Sequence, residues 1–341
     1  MDQFKGERIV NENVTKVLDN HQLLHYEFTN VEKTLESIHG DAFRKYRERW
    51  NAASALKEIP KAPLYVVFET NSYCNMKCKM CTRNFFTTEE KVNISDEIVD
   101  RIISQCQEHN IPSIFVGASA ECLIHPDIKK ILGKMKSTDA LDCFLMTNGY
   151  NLTEDIANYL IDIQFERVYV SLDAAQDATY KKIRGGVQLA RVEGNLNRLL
   201  ELKKQRNSVL PIVRVSYVMQ EENRDEQEEF FEKWKDKVDI IDYQCLIDYK
   251  DWNVLKEPEE LPLPEIDFQC LNPFREILIN YNGDIFPCCN NYGYYMPIGN
   301  IMEMDLVQAW NSDKMKGLRN SILNKSLCKV CRNCVAHNSI R

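Results

Sequence analysis

The stretch Cys74-Asn-Met-Lys-Cys78-Lys-Met-Cys81 decides how this chain reads. Three cysteines stand at x3 and x2 spacing, directly after the apolar run Pro63-Leu-Tyr-Val-Val-Phe68, which reads as a buried strand. A strand ending in a cysteine loop presents its thiolates at the carboxyl end of a sheet, where open α/β folds and barrels keep their chemistry. Three thiolates are too few for a closed structural zinc site, which takes four ligands. They are also one short of the four-cysteine cage of an iron–sulfur cluster. Two readings follow: a cluster with one iron open to a small molecule, or a zinc site with a distant fourth ligand.

The 341 residues suit one large barrel-like domain plus an accessory unit. No apolar run approaches the roughly 20 residues of a membrane span. The N-terminus, Met1-Asp-Gln-Phe-Lys-Gly-Glu7, lacks a signal-peptide core, so a cytoplasmic location and no membrane partner are expected. A net charge of −8 disfavours nucleic acid as a partner, because that footprint is a basic stripe; it suits a small-molecule substrate. Thirteen cysteines in a reducing compartment argue for metal ligation over disulfides, and seven of them fall at or after Cys245.

Residues 1–62 are polar with scattered apolar positions and read as an N-terminal helical extension capping one side of a barrel. From Pro63 strands and helices alternate. Strands are expected at 64–70, 113–117, 141–146, 167–172, 211–219 and 238–246, with helices between them, one of them capped by Ser95 and another spanning 189–205. This alternation implies a parallel sheet with right-handed crossovers. A Pro- and Glu-rich linker, Glu257-Pro-Glu-Glu-Leu-Pro-Leu-Pro264, precedes a last unit. There Asn282-Gly283 signals a hairpin with a type I′ turn, followed by a helix over 305–324 and by Cys328-Lys-Val-Cys331-Arg-Asn-Cys334. The expected division is 1–62, 63–248 and 249–341.

The strand ends should converge on the cysteine loop. Glu121 follows the second strand. Asn148 follows the third and offers both a donor and an acceptor. Ser171 and Asp173 end the fourth, followed by Tyr180-Lys-Lys-Ile-Arg184-Gly-Gly186, whose Arg184 can grip a carboxylate in two-point fashion. Cys245 lies near the end of the sixth, with His125, Tyr243 and Asp248 as further mouth candidates. Cys106 and Cys143 fall on apolar faces and read as core. His21 and His25 form an H-x-x-x-H pair, but Gln22 stands where a zinc protease needs its glutamate, so the spacing reads as chance.

The C-x3-C-x2-C loop after the first strand resembles the radical S-adenosylmethionine (SAM) superfamily. The resemblance implies an α/β fold, a partial (β/α)6 TIM-type barrel. It implies a [4Fe–4S] cluster on Cys74, Cys78 and Cys81 whose open iron takes the amino and carboxylate groups of SAM. One electron then cleaves SAM, and the 5′-deoxyadenosyl radical abstracts hydrogen from a substrate. An electron donor such as flavodoxin or ferredoxin is the implied partner. Glu121 stands where the family carries a Gly-Glu-Pro-like turn against the SAM ammonium, although here Ala120 replaces Gly and Cys122 replaces Pro. Met80 stands where the family puts an apolar residue against adenine. Asn148, Ser171, Asp173 and Arg184 complete the expected SAM contacts.

Cys270-x12-Gly283-x4-Cys288 with Cys328-x2-Cys331 resembles the opening and close of SPASM and twitch accessory domains, built of a β-hairpin plus helix. It implies one auxiliary [4Fe–4S] cluster on Cys270, Cys288, Cys328 and Cys331, with a zinc ribbon on the same thiolates as the rival. Cys289 and Cys334 are too few for a second cage. The implied activity is hydrogen abstraction from a small polar metabolite (a sugar, aminosugar or nucleoside), leading to dehydrogenation, or to epimerisation if Cys245 returns a hydrogen. A peptide-modifying maturase and a non-catalytic iron–sulfur or zinc scaffold are the other two readings.

Overall fold

The computed structural model describes residues 22–84, 90–246 and 270–339. Its strands, in chain order, are β1 Gln22–Glu27, β2 Tyr65–Phe68, β3 Ser113–Val116, β4 Asp142–Thr147, β5 Arg167–Ser171, β6 Ile212–Met219, β7 Ile240–Cys245, β8 Glu276–Ile279, β9 Asp284–Phe286 and β10 Gly299–Asn300. They form one ten-stranded sheet in the order β1-β7-β6-β5-β4-β3-β2-β8-β9-β10. Strands β2 to β7 run parallel in chain order, the arrangement of a partial (β/α)6 barrel.

Helices α1 Val31–His39, α2 Asp41–Ser54, α3 Asp96–Glu108, α4 Ile128–Lys136, α5 Glu154–Asp162, α6 Asp177–Ile183, α7 Leu189–Gln205 and α8 Gln227–Trp234 belong to this body; α9 Leu306–Trp310, α10 Asp313–Leu323 and α11 Lys329–Ser339 follow the hairpin. The crossover helices form where the sequence supplies a cap and an apolar stripe. Ser95 accepts a hydrogen bond from the Ile98 amide, Asp96 and Glu97 occupy the first turn of α3, and Val99, Ile102 and Cys106 are buried at helical spacing. In α7 the buried stripe is Leu189, Val192, Leu196, Leu199 and Leu202.

Strand alternation sorts side chains to two faces. Val66 and Phe68 pack outward into the large core under the helices, whereas Tyr65 and Val67 turn inward with Phe115, Phe144 and Leu278. Helices α1 and α2 pack Val31, Leu35, Phe43 and Tyr46 against Leu64, Ile212 and Ile240 at the amino ends of the strands. The cysteine loop lies at the opposite, carboxyl ends of the strands.

The structure departs from the sequence reading at three places and adds a pairing that it left open. Residues 22–27, within the stretch read as helical, form a strand that pairs antiparallel with β7, Gln22 opposite Gln244 and Glu27 opposite Ile240. Strand β8, whose partner the sequence reading left unnamed, runs parallel to β2, Tyr65 opposite Glu276, so the C-terminal hairpin extends the barrel sheet. The Asn-Gly turn is not type I′, because only Gly283 (φ +86) has a positive φ there. The Asn280 side chain instead organises the loop, its Oδ1 accepting from the amides of Asn282 and Asp284. The helix expected over 305–324 is two helices, since Asn311 ends α9 and Ser312 caps α10. The Pro- and Glu-rich linker, His21 and Asp248 lie outside the described residues.

Candidate functional site

Cys74, Cys78 and Cys81 sit on the loop after β2, Cys78 buried and the other two half-buried. The loop is fixed from below. The Lys79 amide donates to Ile183 O at 2.8 Å, and Gly185 (φ +72) lies so close that a Cβ would stand 2.5 Å from Lys77 O. Only glycine allows that approach. Burial pushes the Cys74 thiol up to about 11 and raises Cys81 too. Two polar groups reach the sulfurs: Arg184 Nη1 lies 3.6 Å from Cys78 Sγ, and Asn148 Nδ2 lies 3.8 Å from Cys74 Sγ and 2.7 Å from Asn75 Oδ1. A cation facing the sulfurs favours their ionised, metal-binding form.

Glu121 is buried behind this loop. Its Oε1 accepts from Thr147 Oγ1 (2.6 Å) and the Leu123 amide (3.1 Å), and its Oε2 accepts from the Asn148 amide (2.7 Å). The carboxylate therefore staples the turn after β3 to the end of β4. Burial raises its pKa against these hydrogen bonds. Asp173 (φ +62) is fully buried, its carboxylate paired with Arg184 and accepting from the Val218 amide at 2.8 Å. Asp173 thus holds the guanidinium that faces Cys78. Ser171 is half-buried at the end of β5, opposite Ser216, and Met80 packs half-buried against the core. Cys245 ends β7 opposite Met219, at the same rim but five strands from β2 in the sheet order.

Among the weaker mouth candidates, Tyr243 points away. It packs against Tyr217 and Phe230, and its hydroxyl donates to Gln227 O at 2.8 Å. His125 is tucked into its own turn, its Nδ1 accepting from the Asp127 amide at 3.1 Å. Cys106 and Cys143 are core residues.

Several lumen groups were not singled out from the sequence. Glu69, just past β2, is 1% exposed; its Oε1 accepts from Ser119 and from Tyr294 Oη (2.5 Å) of the C-terminal unit. Burial raises its pKa. Arg214 stacks over Tyr169 at 3.7 Å and pairs with Asp242 at 2.9 Å, while His25 Nδ1 meets the other Asp242 oxygen at 2.5 Å. Burial pulls the His25 pKa down, but Asp242 and Glu27 outweigh it and lift it to about 9. The signal was present as polar residues at alternate positions, Arg167, Tyr169 and Ser171 in β5 and Arg214 and Ser216 in β6.

The second thiol group gathers beyond the hairpin. Cys288 is buried, Cys270, Cys331 and Cys334 are half-buried, and Cys328 is exposed at the start of α11. Among the described residues, no trio of cysteines has all its sulfurs within 4.8 Å of one another.

Comparison with known proteins agrees with this geometry. Residues 68–233 match the model of the radical SAM superfamily, and residues 270–335 match that of the SPASM iron–sulfur cluster-binding domain. The chain belongs to the radical SAM superfamily and carries a C-terminal domain of the SPASM type; such proteins use SAM with a [4Fe–4S] cluster, and the SPASM domain binds auxiliary clusters. A probable GTP 3′,8-cyclase of Methanococcus maripaludis is 33% identical over 130 residues, 38% of this chain. The chain spans 43% of that relative's length. Streptococcus suis SuiB bound to precursor peptide SuiA is a structural neighbour at TM-score 0.57 and 18% identity, covering 87% of this chain and 73% of SuiB. BtrN in complex with AdoMet and 2-DOIA gives TM-score 0.51 at 17% identity, covering 78% of this chain and 91% of BtrN. The fold is thus shared with SuiB and BtrN. No helix among the described residues is long and apolar enough to cross a membrane.

Proposed function

We propose that the chain abstracts hydrogen from a small polar metabolite, such as a sugar, aminosugar or nucleoside, and that the substrate radical goes on to dehydrogenation or epimerisation. The observation that carries this is the lumen. Helices α1 and α2 cover the amino ends of the strands, and the inner faces of β5 to β7 carry Tyr169, Ser171, Arg214, Ser216 and Asp242, with Glu69 past the end of β2, across from the apolar Val67, Phe115, Phe144 and Leu278. A barrel interior that is polar on one side suits hydroxyl- and amine-bearing molecules that exchange water for fixed hydrogen-bond partners.

In this reading Cys74, Cys78 and Cys81 hold the SAM-binding [4Fe–4S] cluster, and the cysteines of the C-terminal unit hold an auxiliary one. When bound, cluster and SAM supply a 5′-deoxyadenosyl radical after one-electron reduction, with flavodoxin or ferredoxin as the donor. The chain supplies position and electrostatics. Arg184, held by Asp173, offers a fixed cation beside Cys78. Glu121 fixes the Asn148 amide, and the Asn148 side chain spans Asn75 and Cys74. Met80 and Ser171 present apolar and hydroxyl surface for adenine and ribose. Epimerisation would need a hydrogen donor, and Cys245 is the candidate by its position at the end of β7, although it shares the strand face of Tyr243.

The test is anaerobic reconstitution followed by dithionite reduction with SAM. Formation of 5′-deoxyadenosine that rises on addition of candidate sugars, aminosugars or nucleosides supports the reading. Turnover with peptides alone would replace it with peptide maturation. Bound zinc without SAM cleavage would replace it with a scaffold.

A further inference from the structure

We propose that the free carboxylate oxygen of Glu69 receives a hydrogen-bond donor of the substrate, a hydroxyl or an ammonium group, with Tyr294 as the residue that positions it. The inference deepens the reading of a small polar substrate and rests on it. Glu69 directly follows β2, and its amide still bonds Ile279 O at 3.0 Å. The alternation of the strand therefore carries through it and turns its side chain inward, with Tyr65 and Val67.

There the carboxylate is engaged on one side only. The Ser119 amide (3.2 Å), the Ser119 hydroxyl and Tyr294 Oη (2.5 Å) all donate to Oε1. Oε2 is buried and has no hydrogen-bond partner. Other buried glutamates use both oxygens. Glu121 binds Thr147 and the Leu123 amide with one and the Asn148 amide with the other. Glu166 divides its oxygens between Lys136 and the Cys143 amide, and Glu276 between Tyr65 and the Cys289 amide. The wall beside Glu69 is apolar, built from Val67, Phe115, Leu278 and Phe286. A carboxylate oxygen left without a donor in so dry a place is costly, and a ligand that brings a donor removes that cost. Tyr294 belongs to the turn Asn291–Tyr295 and packs on Phe286 at 4.9 Å between ring centroids. The C-terminal unit thus decides which oxygen is occupied and which is left for the substrate.

The experiment uses the full chain, reconstituted anaerobically. Sugars, aminosugars and nucleosides are screened for stimulation of 5′-deoxyadenosine formation. The best compound is then compared with analogues that each lack one hydroxyl or amine. In Glu69→Gln the Ser119 amide holds the side-chain oxygen at the Oε1 position, so an NH2 group replaces the free acceptor and meets the substrate's donor head-on. The KM for the compound is expected to rise at least about tenfold. The analogue without the recognised group is expected to be poor in the parent chain and no poorer in the variant, a pattern that damage to the fold does not give. Should Glu69→Gln not fold, Tyr294→Phe carries the test. With that hydroxyl gone the carboxylate can turn, and the parent's preference for the compound over this analogue should shrink severalfold. A KM that rises in parallel for every analogue, or a rise in the KM for SAM alone, overturns the inference and leaves the small polar substrate standing. If no compound of the panel stimulates the parent chain, the reading of a small polar substrate fails and the inference falls with it.

Discussion

Gly185 and Lys77 touch backbone to backbone: a Cβ on Gly185 would stand 2.5 Å from the Lys77 carbonyl oxygen and 2.9 Å from its carbon. The cysteine loop is therefore seated on the turn that ends α6, and the residue before that glycine is Arg184, whose guanidinium faces Cys78.

Gly185→Ala is expected to push the cysteine loop off this seat. Its positive φ alone costs an alanine about 1 kcal/mol, and the carbonyl clash adds to it. Gly186, also at positive φ but with open space around it, is the control that carries only the conformational cost. Iron bound at the Cys74, Cys78 and Cys81 loop should fall in Gly185→Ala and hold in Gly186→Ala, as read by iron counting and thermal melting.

Removing the Asp173 carboxylate leaves a buried guanidinium without its counter-charge. Asp173→Ala is expected to destabilise the chain by about 3–5 kcal/mol, the usual cost of stranding one member of a buried pair. Denaturant unfolding measures this, and the double variant Asp173→Ala/Arg184→Met should recover part of the loss. If the single and double variants are equally unstable, the pair is not what holds this turn.

His25 makes stability depend on alkaline pH. Its folded pKa, about 9, is above its unfolded value of 6.5, so folding takes up a proton in that interval. The contribution is complete below pH 6.5 and is lost as pH rises through 9. The melting temperature of the parent chain should fall between those values, and His25→Gln should flatten the fall. A parallel pH profile in the variant would show that the Asp242–His25 contact does not carry the effect.

Cys245→Ala separates the two fates of the substrate radical. With the thiol as hydrogen donor, the variant loses product while 5′-deoxyadenosine still forms, and the parent enzyme places solvent deuterium in its product. Full activity of the variant, followed by chromatography of substrate and product, removes the thiol from the chemistry.

The parallel core was legible because each crossover pairs an apolar strand with a capped amphipathic helix, as at Ser95 and along 189–205. The cysteine loop, Glu121, Asn148, Asp173 and Arg184 could be grouped from the sequence because they follow successive strands, and the structure brings Asn148 and Arg184 to the sulfurs. What local pattern could not show is long-range pairing. Nothing in Gln22–Glu27 announces that it will meet β7, and nothing in Glu276–Ile279 announces that its partner is β2, more than two hundred residues earlier. The Asp173–Arg184 pair is local and was missed for another reason. Each residue was read singly as facing a ligand, whereas the fold turns them first toward each other.

The β2–β8 ladder has a mechanical consequence. The strand that delivers Cys74 and the strand between Cys270 and Cys288 are adjacent rungs of one backbone, Phe68 opposite Ile279. The two thiol nests cannot drift apart as lobes on a hinge can, short of unzipping the sheet itself. The spacing of the two thiol groups is set at folding, like the gauge of a railway, rather than adjusted afterwards.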